Sequence, residues 1–527
     1  MTSDLKSPDS TEWDATADVV VVGSGSGLFA AVEAATSGAS VILLEKANEI
    51  GGKPQMMFIW DANSTDVQKR AGIDDSADAH WEWLKQQSPW ATEHGAEDLK
   101  RIWIDHSGEV INRMEELGFT FKLQNQNAIG DVPRLHVVQN SLLAWPEIMG
   151  SHARKLGVDI RVNTAATELI TRSGEVIGIR AQTESGNSIA IKARRGVVLA
   201  TGDTTGSKRW KSRYYSSREV EVPGLFEPNT GDGLVMAQEI GADVWGLSLF
   251  SYSMPRISGF VKDRTDHHVG WLYPEVAAGV EFTSKGLIFV NKDGRRFTDE
   301  LSDDATYDVN EQRDHTAYMI FGNELAEYLH RPKDGDNIAA YDSGKSFHMS
   351  LLPFAGQAYL EDYLEFQDGN YIRVADSISE LAEKLGLDRV ALQETIDSWN
   401  ASVISGQDKE FGRQINFEYD DRVTGGEGKK MVKRIFGNAE QIASGPYYAL
   451  VTHGAKNFLH EGPNLIVDTS LQVLHVREHP IPRLFACGPG LLSSTRMIAP
   501  QQGDHMTFAG VTGYLAGKTV AQVAPWE

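Results

Sequence analysis

The stretch DVVVVGSGSGLFAAVEAATSGASVILLEK, Asp18–Lys46, decides the fold. An acid leads four valines. Glycines follow at Gly23, Gly25 and Gly27, then an alanine-rich run, then a second apolar run that ends at Glu45. This order predicts strand, tight turn, helix and strand, a β-α-β unit of about thirty residues. The glycines allow a sharp turn and a close approach to a pyrophosphate, and the helix N-terminus then turns its free N–H groups towards the phosphates. Glu45 stands where a carboxylate can accept a hydrogen bond from a ribose hydroxyl. Dinucleotide binding is therefore expected. The usual fingerprint reads G-x-G-x-x-G, whereas this loop reads G-x-G-x-G. A tighter turn with binding retained is the expectation.

The chain around this unit has 527 residues, 41% of them hydrophobic, and 50 glycines, which suggests two or more domains or one large discontinuous domain. Lysine and arginine number 50 against 73 acids, a formal charge of −23, which argues against a nucleic-acid partner. The single cysteine, Cys487, excludes an internal disulfide and any cysteine-rich metal site, so no metal is expected. The first residues are acidic and polar and do not read as a secretory signal. No run of 18 apolar residues suggests a membrane span. A cytoplasmic protein is the default.

Residues 1–16 read as a polar tail. From Ile160 to Arg195 the pattern alternates as antiparallel strands do, with turns at Ser173-Gly174 and Ser185-Gly186, and leads into GVVLATGD, a buried strand that closes on Gly202. NTGDGLVMAQEIGADV is another turn and small-residue helix. Residues 246–444 are richer in tyrosine, aspartate and loops. They hold one clear helix, Ser377–Val403, with Ile378, Leu381 and Leu385 at helical spacing and Gly386 interrupting it. This stretch reads as an inserted domain. NLIVDT, RLFACG and a last helix then return to the first, giving a division into 17–245, 246–444 and 445–527.

VVVVGSGSGLFAA, LLEKANEIGGK, GVVLATGD, NTGDGLVMAQEIGADV, VNKDGRRFTDE, NLIVDT, RLFACG and HMTFAGVTGYLAG occur in this order from about residue 18 to 520. Together they resemble the FAD-dependent fumarate reductase and 3-ketosteroid dehydrogenase superfamily. The resemblance implies an α/β fold, with a discontinuous Rossmann-like FAD-binding domain and an inserted α+β capping domain. It implies an oxidoreductase acting on a C–C bond beside a carbonyl or carboxylate, with the redox chemistry belonging to the flavin. The FAD site would comprise Gly23, Gly25, Ser26, Gly27, Glu45, Lys46, Gly51, Gly52, Lys53, Ala166, Ala200, Thr201, Gly202, Asp232, Gly488, Pro500 and Gln501. Pro500 suits the first turn of a helix whose N-terminus would face the flavin. Lys53-Pro54 and Pro489 depart from the family's usual residues. No HTR-type histidine follows Gly52, so noncovalent FAD is expected.

The same resemblance aligns Arg496, an isolated arginine in SSTRMIAPQQG, with the group that grips a substrate carboxylate, and His453 with a substrate-binding histidine. Arginine can bind a carboxylate through two donors at once. Fumarate reductases carry a proton-donating arginine four residues after the glutamate of GRRFxxE. Here that position is Asp304, and the relay residues become Thr283 and Val280. Asp304 or Tyr307 is the expected proton-handling group, with Tyr252 third. A 3-ketosteroid or oxocyclohexane-carboxylate dehydrogenase is the leading expectation. A reductase of a small unsaturated acid with a non-arginine proton donor is the alternative, and a flavin-binding electron-transfer subunit is the reading from another class. The electron acceptor or donor is left open.

Overall fold

Four valines in succession, Val19–Val22, run through the middle of an eight-stranded sheet and are almost wholly buried. The computed structural model describes residues 11–52, 59–87, 97–124, 132–140, 144–215, 217–221, 224, 226–246, 250–252, 257–258, 271–272, 286–302, 305–329, 364, 372–416, 438–453, 457–460, 463–491 and 504–527.

Along the chain, β1 (Ala15–Val22), α1 (Gly27–Thr36) and β2 (Val41–Leu44) form the expected β-α-β unit, with β1 and β2 parallel. β1 begins inside the stretch read as tail, because Ala15 and Thr16 already pair with Ile191 and Lys192. An excursion follows: β3 (Ile59–Asp61), α2 (Asp66–Arg70), α3 (Ala77–Gln87), α4 (Glu97–Leu117), β4 (Phe121–Gln124) and β5 (Leu135–Val138). Its strands form a separate antiparallel sheet in the order β3-β5-β4. The chain then adds β6 (Asp159–Arg161) beside β2 and folds β7 (Thr164–Arg172), β8 (Glu175–Thr183) and β9 (Ser188–Leu199) into a meander. Its first turn has Ser173 and Gly174 at φ 53° and 84°, and Gly186 in the second has φ 82°. The second half of β9 runs parallel to β1. After two short helices comes α5 (Asp232–Glu239), and further on a short strand, β10 (Phe250–Tyr252).

The second unit is built from β11 (Ile288–Val290), α6 (Ala305–Glu311), β12 (Thr316–Phe321), β13 (Ile372–Ala375), α7 (Ile378–Leu385) and α8 (Arg389–Ser405). It also takes in β14 (Tyr447–His453), whose pairing with both β12 and β13 gives an antiparallel sheet in the order β11-β12-β14-β13. The sequence-based boundary at 445 therefore leaves out a strand that long-range pairing supplies. Successive residues point to opposite faces, so Phe289, Met319 and Leu450 join one core with α6, while Ile288, Ile320 and Ala449 join another with α7 and α8. The single helix expected over 377–403 is two: Gly386 ends α7 at φ 70°, a left-handed cap that glycine adopts readily. Asp388 restarts the chain by accepting from Val390 N and Ala391 N.

The chain then passes through β15 (Asn457–His460), antiparallel to β10, and returns to the first sheet with β16 (Gln472–Leu474) and β17 (Pro480–Ala486). β17 lies parallel to β9, so the sheet reads β16-β17-β9-β1-β2-β6. The last helix, α9 (Asp504–Gln522), lies on α1. Glycines permit that approach: a Cβ on Gly517 would stand 2.3 Å from Ala30 O, and one on Gly513 2.6 Å from Ser26 O. Among the described residues no helix is long and apolar enough to cross a membrane.

Candidate functional site

The site grows from the end of β1. Gly23 has φ 94°, and a Cβ there would stand 2.3 Å from Ala200 O, so only glycine fits between β1 and the end of β9. Gly27 opens α1 against the sheet, where a Cβ would meet Val21 and Ala200 at 2.8 and 3.0 Å. Only Ser24, Gly25 and Ser26 separate these two glycines, a short turn in keeping with the missing residue. Trp145 Nε1 donates to Gly25 O at 3.1 Å and fixes the tip of the loop.

Glu45, at the end of β2, is 6% exposed and holds the loop from the other side. Oε2 accepts from Ser24 N at 2.9 Å and from Ser24 Oγ at 2.6 Å, and Oε1 accepts from Ala47 N at 2.9 Å. Ser24 Oγ in turn accepts from Gly51 N at 2.9 Å. Three of the roughly four acceptor positions of the carboxylate are thus taken within the chain, and a ribose hydroxyl would take the remaining one.

Above the loop lies a cavity open to solvent. Its walls bring together Gly23, Gly25, Ser26, Glu45, Lys46, Gly52, Ala166, Ala200, Thr201, Gly202 and Asp232. Lys46 Nζ sits 2.7 Å from both Asp232 Oδ2 and Thr230 Oγ1, joining β2 to the start of α5. Gly27, Gly51 and Gly488 stand behind the wall. Gly488 N donates to Thr512 Oγ1 of α9, and a Cβ on Gly488 would stand 2.8 Å from Ser26 Oγ. Ser24, Thr164, Phe226, Pro228, Asn229, Met236 and Pro489 also line the cavity. The sequence reading passed over most of them. NTGDG contains Asn229, and its amide bond to buried Asp203 at 3.1 Å is the contact that a turn asparagine beside a Gly-Asp pair could have suggested.

FAD fits this cradle. Ser26 Oγ is buried and, among the described residues, has no hydrogen-bond partner. The glycine loop leaves its backbone open beside the cavity, and the α1 N-terminus begins immediately after it. Cys487, next to Gly488, is 2% exposed; burial pushes its thiol up to about 12, so it stays protonated and takes no part.

Lys53, Asp304, Arg496, Pro500 and Gln501 fall outside the described residues, as do Thr283 and Val280. Tyr307 lies in the middle of α6, and His453 is the last residue of β14, across from Thr316. Tyr252 ends β10 and pairs with Asn457 of β15. Just ahead of α6, Glu300 is fully buried between two arginines. Arg296 reaches it through two nitrogens, at 2.9 and 2.8 Å, and Arg413 Nη1 at 2.8 Å, while Phe289 N donates to Oε1 at 3.0 Å. Asp408 balances the second positive charge, accepting from Arg296 Nη1 at 2.8 Å. This network anchors the segment that leads into α6.

The family model described as FAD binding domain matches residues 18–504. The chain belongs to that family. It is a flavin-dependent oxidoreductase of the kind that works on carbon–carbon bonds. A curated relative, 4-oxocyclohexanecarboxylate 2-dehydrogenase of Sinomonas cyclohexanicum, is 28% identical over 586 residues, covering 96% of this chain and 93% of its own. Probable fumarate reductase Ifc3 of Shewanella frigidimarina is 26% identical over 521 residues, covering 95% of this chain and 75% of its own. The open conformation of a flavocytochrome c3 fumarate reductase shares the fold with a TM-score of 0.73 at 23% identity, over 97% of this chain and 79% of that one.

Proposed function

We propose that this oxidoreductase desaturates a cyclic ketone that carries a carboxylate, of the oxocyclohexane-carboxylate type, at the C–C bond beside the carbonyl. The observation that carries the reading is the likeness to the 4-oxocyclohexanecarboxylate dehydrogenase along nearly the whole of both chains. The exchange of the expected arginine proton donor for Asp304 supports it, because a carboxylate suits proton removal better than donation from an arginine. In this reading the first and last segments hold noncovalent FAD, and the second unit caps the reaction cleft.

When bound, FAD supplies the two-electron acceptor for the hydride that leaves the β-carbon. The chain does the rest. Arg496 grips the substrate carboxylate, and His453 adds a donor to a substrate oxygen. Asp304 or Tyr307 takes the proton from the α-carbon. That proton is acidic because the neighbouring carbonyl spreads the developing charge, and a polarising donor on the carbonyl oxygen makes it more so. The Glu300 network holds the chain ahead of α6, the helix that carries Tyr307.

The test is anaerobic mixing of the yellow holoenzyme with 4-oxocyclohexanecarboxylate, a 3-ketosteroid and fumarate. Bleaching by the first supports the proposal. Bleaching by the steroid alone would redirect it to that substrate class. Reoxidation of the reduced enzyme by fumarate, with no bleaching by either ketone, would replace it with the ene-reductase reading. If none of the three exchanges electrons with the flavin, the chain is better read as an electron-transfer subunit.

A further inference from the structure

Asn310 lies near the end of α6 and is 6% exposed. Both atoms of its side-chain amide, Nδ2 and Oδ1, are buried, and among the described residues neither has a hydrogen-bond partner. Buried polar side chains are paired in the large majority of cases. An unmet buried group destabilises a fold, and a leucine of similar size would avoid the penalty. The amide therefore does nothing for the stability of α6, and a bound molecule with an acceptor oxygen, together with a water, would account for it.

Its position agrees. Tyr307 is three residues earlier in the same helix. The Asn310 carbonyl accepts from His315 Nδ1 at 2.5 Å, which ties the end of α6 to the start of β12. The next residue, Thr316, pairs with His453. The end of α6 and the end of β14 are thus joined through the start of β12.

We propose that Asn310 is a substrate-binding residue, its Nδ2–H donating to a carbonyl or carboxylate oxygen of the substrate and its Oδ1 accepting from a water bound beside it. This rests on the reading above that α6 borders the reaction cleft.

The experiment uses holoenzyme with Asn310→Leu and Asn310→Asp, and reads two quantities. One is Tm. The other is the dissociation constant for 4-oxocyclohexanecarboxylate, cyclohexanone and cyclohexanecarboxylate, from the shift each causes in the flavin absorption band. Asn310→Leu is expected to keep or raise Tm and to weaken binding of the keto acid about tenfold. Asn310→Asp is expected to weaken it further, by placing a charge against a substrate oxygen. A fall in Tm with unchanged binding in Asn310→Leu would make the amide structural and overturn the assignment. Unchanged binding in both variants, with a responsive wild type, would overturn it too. A wild-type spectrum unmoved by all three probes would instead bring down the substrate class, and this assignment with it.

Discussion

One residue, Ser24, gives Glu45 two hydrogen bonds, through its backbone N–H at 2.9 Å and its hydroxyl at 2.6 Å. The same hydroxyl accepts from Gly51 N, so the glycine loop, the end of β2 and the Gly51-Gly52 turn share a single oxygen. Ser24→Ala removes a bond to a charged group and leaves Gly51 N–H without its acceptor. Hydrogen bonds of this kind contribute about 1.5–3 kcal/mol, so FAD affinity is expected to fall about tenfold to a hundredfold. Titration of apoprotein with FAD checks this, and an unchanged affinity would show the oxygen to be dispensable.

His136, in β5, is buried between Thr65 Oγ1 at 2.8 Å and Arg134 O at 2.7 Å. Burial pushes its pKa down from 6.5 to about 4. The unfolded chain therefore binds a proton that the folded chain refuses over that window. The contribution of neutral His136 is full above pH 6.5, shrinks as pH falls towards 4, and changes no further below it. The loss over the window is about 3 kcal/mol. Tm measured against pH should fall over this range in wild type and fall less in His136→Gln.

Glu300 titrates lower. Burial opposes its ionisation, but Arg413 and Arg296 more than offset this and hold its carboxyl below the usual carboxylate range. Its stabilising effect is present above the ordinary value of 4.5 and is lost as pH falls through the lower folded value. Glu300→Gln leaves Arg413 buried without its anion, a change that costs about 3–5 kcal/mol. Calorimetry should show a lower Tm at neutral pH and a flatter acid limb. Wild-type stability in Glu300→Gln would mean that Asp408 alone balances both arginines.

α1 and α9 touch through backbone. Gly517→Val would drive a branched side chain into Ala30 O, which a Cβ alone would approach to 2.3 Å. Overpacking of this kind costs about 1–3 kcal/mol or more. A lower Tm and reduced flavin content in the purified variant are expected, and a fully yellow variant with wild-type Tm would refute the close contact.

The proton-handling group is separated by Asp304→Asn and Tyr307→Phe, which change shape little. The true group should lose about 10²–10⁴-fold in the rate of flavin reduction, with flavin content unchanged. Arg496→Met should cost about tenfold to a hundredfold in kcat/KM. If Arg496→Met lost flavin and kept its rate, that arginine would belong to the cofactor site.

The residues that make the β-α-β unit were legible because each acts locally: valines in sequence, glycines at a turn, a carboxylate at a strand end. The antiparallel meander over 160–195 was legible for the same reason, through alternation and two turns. What stayed hidden depends on residues far apart in the chain. Nothing around Arg413 announces that it lies 2.8 Å from Glu300. Nothing in YYALVTH says that it pairs with Thr316–Phe321 rather than with the FAD sheet. Gly386 reads as an interruption, but Asp388 two residues later is the sign that the helix restarts. Asn310 could not be singled out from sequence at all, because burial without a partner is a property of the folded chain.

The pairing of β17 with β9, and of α9 with α1, has a consequence for synthesis. A ribosome releases α1 and β9 early, yet α9 and β17, which lie against them, emerge only after the whole second unit. Until then β9 lacks one of its neighbours and α1 lacks the helix that lies on it, although Glu45 and Trp145 already brace the cofactor loop. The second unit, whose strands pair mostly among themselves, can settle first, while the first waits for contacts of very long sequence separation. A chain stalled before Pro480 would hold a folded middle between two unfinished ends, a natural client for chaperones, and uptake of the yellow cofactor would mark the moment when translation has passed α9.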